Sequence, residues 1–147
     1  MSKVICDTSL CSGCLACVVA CMDQHYDETN GDAVSPRIYE KHVCEETGLV
    51  TYLTRNCRHC KDAPCMKVCP MKVFERTENG FIVPARRDKC IGCKKCVKVC
   101  PYDVPRFDAD RKIVKCDGCA ARVACGLEPA CVRVCNTGAL RLEMESE

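Results

Sequence analysis

Cys90-Ile91-Gly92-Cys93-Lys94-Lys95-Cys96-Val97-Lys98-Val99-Cys100-Pro101 carries the strongest structural signal in this chain. Three cysteines two residues apart, a fourth three residues further on and then a proline match the C-x2-C-x2-C-x3-C-P run of bacterial two-cluster iron–sulfur carriers. The spacing has a chemical reason. Thiolates separated by two residues come from a loop that curls around one face of a cubane. A short helix then starts, and the fourth cysteine lies one turn beyond the third. It points away from the first cluster and toward a second one.

Three more groups repeat the theme. Cys11, Cys14, Cys17 and Cys21 have the same spacing without the proline, having Met22 there instead. Cys57, Cys60, Cys65 and Cys69 precede Pro70, and Cys116, Cys119, Cys131 and Cys135 precede Asn136. These sixteen belong to 19 cysteines in 147 residues, a density that admits disulfides, zinc or iron–sulfur clusters. An odd cysteine count and a start without an apolar leader argue against a disulfide scaffold, so a reducing, cytoplasmic setting is expected. Zinc prefers isolated tetrahedral sites built from two separated pairs, which four groups of four match poorly. Four [4Fe–4S] clusters are the expected cofactors. With no tryptophan and few aromatic residues, the clusters would supply the constraint that a small apolar core lacks. No apolar run is long enough to span a membrane.

The segments between the groups read as short hairpins. Val73–Thr77 and Phe81–Val83 flank Asn79-Gly80, Arg106–Asp108 and Lys112–Lys115 flank a second turn, and Arg37–Val43 and Leu49–Arg55 flank a third. Leu15–Gln24, Cys96–Cys100 and Ala130–Cys135 read as short helices. Loop, helix and hairpin, repeated, make an α+β fold of two bacterial-type 2[4Fe–4S] ferredoxin-like modules.

Taken together, the four groups resemble the iron–sulfur subunit family of dimethyl sulfoxide reductase, formate dehydrogenases, formate-linked hydrogenases and tungsten aldehyde oxidoreductases. Lys115-Cys116-Asp117-Gly118-Cys119 with Glu128-Pro129-Ala130-Cys131-Val132-Arg133-Val134-Cys135 is the most diagnostic part, and Cys57-Arg58-His59-Cys60-Lys61-Asp62-Ala63-Pro64-Cys65 is equally typical. The resemblance runs from Cys11 to about Leu142. It implies interleaved ligation. Cluster A would take Cys11, Cys14, Cys17 and Cys135, and cluster B would take Cys21, Cys116, Cys119 and Cys131. Cluster C would take Cys69, Cys90, Cys93 and Cys96, and cluster D would take Cys57, Cys60, Cys65 and Cys100. It further implies a wire in the order A–B–C–D and modules of residues 1–56 plus 116–147 and of residues 57–115. Some relatives hold a three-iron cluster where a group-three cysteine is replaced; Cys93 is kept here, so four irons are expected. The long insertion and membrane-contacting tail of larger relatives are missing from this sequence, which favours a soluble assembly.

The implied role is non-catalytic. The chain would pass electrons between a large catalytic subunit, of tungsten or molybdenum pterin type, and a second redox partner such as a ferredoxin or a flavin subunit. A free-standing polyferredoxin is the alternative, and a zinc-rich interaction module is a third reading that iron and sulfide analysis would remove. No phosphate-cradling glycine motif is present.

Charge divides along the same lines. Residues 57–115 hold 15 basic and 7 acidic side chains, a net of +8, whereas residues 1–56 and 116–147 carry −4 and −2. Arg86, Arg87, Lys89, Lys94, Lys95 and Lys98 lack the interleaved aromatics that stack bases, so nucleic acid is not expected; an acidic redox partner suits them better. Cys6, Cys44 and Cys125 fall outside the groups and read as small buried apolar residues. His25 and His59 read as solvent-facing or backbone-bonded, with tuning of a cluster or proton transfer as the sharper alternative.

Overall fold

The computed structural model describes residues 2–25 and 34–144. The described strands form four two-stranded antiparallel sheets. Strand β1 (Ser2–Cys6) pairs with the last strand, β8 (Leu140–Met144), in a register that sets Ser2 opposite Met144 and Cys6 opposite Leu140. The three hairpins are β2 (Ile38–Val43) with β3 (Val50–Arg55), β4 (Glu75–Arg76) with β5 (Ile82–Val83), and β6 (Arg106–Phe107) with β7 (Ile113–Val114). All three expected hairpins form, the latter two shorter than the β-rich sequence suggests. The β1–β8 pair was not expected, because its partners lie at opposite ends of the sequence and each is a five-residue run with no turn between them.

Among the described residues five α-helices follow the cysteine loops: α1 (Ala16–Gln24), α2 (Pro64–Val68), α3 (Lys95–Val99), α4 (Ala120–Ala124) and α5 (Ala130–Val134). α1, α3 and α5 correspond to the expected helices to within a residue at each end. α2 and α4 escape a periodicity argument, since a five-residue helix completes too few turns to show one. The residues that open α1 to α4, namely Leu15, Ala63, Lys94 and Cys119, all have left-handed backbone, with φ of 63, 42, 59 and 50°. That repeated kink ends each loop and turns the chain into its helix.

α1 packs on α5 and α2 packs on α3. Two apolar cores result. Val4, Cys17, Cys131 and Leu140 make one, and Ala63, Val73, Phe74, Ile82, Cys96 and Ile113 make the other. Bridging contacts join them: Ser2 Oγ donates to the Asn79 carbonyl at 2.6 Å, and Arg55 Nη1 donates to the Asp103 carbonyl at 3.2 Å. Phe81, fully buried, lies edge-on to His59 with ring centroids 5.1 Å apart. The same ring covers Gly118, whose φ is +70° and where any added Cβ would collide with it. No described helix is long and apolar enough to cross a membrane.

Candidate metal centre

Each cysteine loop is shaped by one residue of positive φ immediately before its second cysteine: Gly13, His59, Gly92 and Gly118, at 72, 49, 67 and 70°. The turn aims main-chain N–H groups inward, the arrangement that favours an anionic occupant. His59 N–H donates to Cys57 Sγ at 3.3 Å, and Gly118 N–H donates to Cys116 Sγ at 3.3 Å. The backbone thus already offers hydrogen bonds to sulfur in these two loops.

The loops meet in pairs. Cys11, Cys14 and Cys17 line one cavity with Cys135, which lies more than a hundred residues away in sequence. Cys90, Cys93 and Cys96 line a second with Cys69, and Cys57, Cys60 and Cys65 line a third with Cys100. Cys21 faces Cys116, Cys119 and Cys131, and three of these four are buried. In every case the last cysteine of one group stands with three of another, because α1 lies on α5 and α2 lies on α3.

The donor chemistry suits a polynuclear metal group. None of the nineteen cysteines is in a disulfide. Burial and neighbouring thiols push the Cys21 thiol far up, Cys116 to about 12 and Cys96 to about 11. Thiolates so placed need compensating positive charge, which iron supplies to its thiolate ligands. The cavities themselves are lined by apolar residues such as Val73, Phe74 and Ile113, which keep water off the sulfurs.

The four sets are arranged in a different order from A–B–C–D. Cys116 of set B lies near Cys57 of set D, with His59 between them. His59 spans the gap. Its Nδ1 accepts from the Ile82 N–H at 2.9 Å, its own N–H bonds Cys57 Sγ, and its Nε2 stands 4.0 Å from Cys116 Sγ. Set C adjoins set D instead: Cys65 packs against the same apolar core as Cys96, Cys69 and Cys90. Cys14 of set A and Cys93 of set C are exposed, whereas Cys21, Cys119 and Cys131 of set B are buried. Because B adjoins D and D adjoins C, sets B and D are in the middle, with the exposed Cys14 and Cys93 at the two ends. Spacing could not give this order, which depends on how the two cores abut.

Both histidines are buried, so the solvent-facing reading is corrected; His59 is backbone-bonded as expected. Burial, with Lys115 and Arg76 nearby, pushes His59 down to about 2, so its ring is neutral. Since Nδ1 accepts, the proton of the neutral ring is on Nε2 and directed toward Cys116. His25 Nε2 lies 3.9 Å from Cys119 Sγ and 3.4 Å from Asp117 Oδ1. Both rings address set B. Of the unassigned cysteines, Cys44 and Cys125 are exposed, correcting the buried reading, while Cys6 is half-buried against the first core. Arg37, Thr54, Asn56 and Lys115 were missed as site residues. Arg37 sits in a plain hairpin segment, and nothing local marks it. The basic face keeps Lys94, Lys95 and Lys98 exposed, whereas Arg86 pairs with Glu75 and Arg87 with Asp108.

Comparison with known proteins agrees with this chemistry. A family model described as a 4Fe–4S dicluster domain matches residues 49–145, and one described as a 4Fe–4S binding domain matches residues 8–23. The protein is 38% identical over 144 residues to a subunit of the anaerobic dimethyl sulfoxide reductase of Escherichia coli, covering 91% of its own length and 69% of that subunit. A subunit of a probable anaerobic dimethyl sulfoxide reductase of the same organism is similar to the same extent. The formate dehydrogenase iron–sulfur subunit of Haemophilus influenzae is 35% identical over 165 residues; the match takes in all of this chain and 52% of that protein.

Proposed function

The chain belongs to the 4Fe–4S dicluster family of iron–sulfur subunits of oxidoreductase complexes, and from that premise we propose that it is a four-cluster electron wire. Clusters A, B, C and D take the cysteine sets given above. The wire runs A–B–D–C. Residues 1–56 with 116–147 hold A and B, and residues 57–115 hold C and D. The observation that carries this reading is the composition of the cavities, in which three cysteines of one group meet the last cysteine of another.

When bound, each cluster stores and releases single electrons. The chain's own residues do the rest. Loop N–H groups bond the sulfurs, apolar side chains exclude water, and His25, His59 and nearby cations set the local field. One exposed end, near Cys14, would face a catalytic subunit of tungsten or molybdenum pterin type. The other, near Cys93, would face a ferredoxin or flavin subunit across its lysines.

Anaerobic purification with the neighbouring gene products tests this assignment. A stable complex with a large pterin-containing subunit, and sixteen irons on this chain, is the expected result. Purification alone, with rapid electron exchange among several unrelated enzymes, would instead favour the free-standing polyferredoxin.

A further inference from the structure

Set B lies between two buried cations. Arg37, 3% exposed, reaches in from the start of β2. Its Nη1 donates to Thr54 Oγ1 at 2.7 Å, and its Nη2 donates to Asn56 Oδ1 at 3.0 Å and to Cys131 Sγ at 3.4 Å. Thr54 Oγ1 in turn stands 3.9 Å from Cys17 Sγ, so one guanidinium reaches toward sets A and B together. On the side facing set D, whose cavity it also lines, Lys115 is likewise 3% exposed. Its Nζ donates to the carbonyls of Cys116, at 2.9 Å, and Ile82, and it lies 5.9 Å from the centre of the Phe74 ring.

Among the described residues neither cation pairs with a carboxylate. A buried cation without a counter-ion is strongly unfavourable, so its presence points to an anion elsewhere. Among the described residues, sulfur is the acceptor of that character in reach. A guanidinium stays protonated inside proteins, and that of Arg37 meets the sulfur of Cys131 directly.

We infer that Arg37 and Lys115 are fixed counter-charges for the cluster of Cys21, Cys116, Cys119 and Cys131, and that they raise its reduction potential. Reduction adds one negative charge to that cluster. A positive charge held in a low-dielectric interior stabilises the added electron more than the oxidised state, and bulk salt screens it little. The hydrogen bond from Arg37 to Cys131 acts in the same sense. Arg37 is the stronger of the two, because it touches a sulfur directly. Both are positioning residues: they act through the ligands. The inference rests on the ligand sets proposed above.

EPR-monitored potentiometry on iron-replete, anaerobic protein tests it, with Arg37→Gln, Arg37→Lys and Lys115→Met beside the parent. The signal of this cluster is identified as the one that Cys21→Ser removes. If Cys21→Ser instead removes the signal of the Cys11 loop, the ligand sets are wrong, and the Arg37 measurement still stands on its own. Arg37→Gln is expected to disfavour reduction of the cluster at least tenfold, a fall of about 59 mV for one electron, at low and high salt alike. Arg37→Lys, which keeps the charge, should lose less than half as much, Lys115→Met should shift the same way, and clusters C and D should stay put after Arg37→Gln. An unchanged potential in iron-replete Arg37→Gln overturns the inference. Where Arg37→Gln fails to load this cluster, Arg37→Lys decides: loading with Lys supports a charge requirement, and failure of both overturns it in favour of shape.

Discussion

Reversing Lys94, Lys95 and Lys98 to glutamate should slow electron exchange at the basic end of the molecule. All three are exposed, and among the described residues none pairs with a carboxylate, so their charge is uncompensated. Lys94 and Lys95 line the cavity of Cys69, Cys90, Cys93 and Cys96. Reversal takes residues 57–115 from a net of +8 to about +2. In water, one reversed charge about 10 Å from a singly charged anion weakens its encounter about fourfold, and three together about sixtyfold. At 0.1 M salt a Debye length of about 10 Å cuts this to roughly fivefold. Stopped-flow reoxidation of the reduced protein by the monoanion iron(III)–EDTA reads the effect, with cationic hexaammineruthenium(III) as control. The anion should slow at low salt and recover as salt rises, while the cation does not slow. An anion rate within twofold of the parent at low salt, with full iron content, would make these lysines a solvated face and nothing more.

Sixteen irons and sixteen sulfides should be found on protein handled without oxygen; a value near eight would contradict four complete ligand sets. Cys21→Ser should abolish the cluster of Cys116, Cys119 and Cys131 and leave that of Cys11, Cys14 and Cys17, which Mössbauer or EPR spectroscopy resolves. Loss confined to the Cys11 loop would disprove the crossing. Gly118→Ala forces a side chain onto left-handed backbone beneath the Phe81 ring, at a cost of about 2–4 kcal/mol in strain and overpacking. It should lower the denaturant midpoint for iron release, and Phe81→Leu in the same chain should recover part of the loss. Equal effects of Gly118→Ala with and without Phe81 would exclude the ring as the cause.

Much of the site was legible because its determinants are local. A loop of cysteines two apart and a helix one turn long are short-range facts, and glycine before the second cysteine of three groups marks the turn that each loop needs. The hairpin at Asn79-Gly80 was legible for the same reason. The zones of charge could be counted without coordinates. Cys44 and Cys125 were misjudged because hydrophobic character sets an average tendency to bury, not the side of a particular turn on which a residue falls.

What tertiary structure alone decided concerns neighbours far apart along the chain. β1 finds β8, Arg37 finds Cys131 94 positions away, and His59 finds Cys116 57 positions away. No local pattern encodes such meetings, since they follow from how the two small cores pack together. The sequence thus determined the sixteen cysteines and three of the helices beside them, α1, α3 and α5. Packing determined that set D, not set C, adjoins set B, and that two buried cations and two histidines surround the innermost sulfurs. The physical reason is that ligand type and spacing are properties of a few consecutive residues, whereas the field at a sulfur is the sum of every charge the fold brings near it.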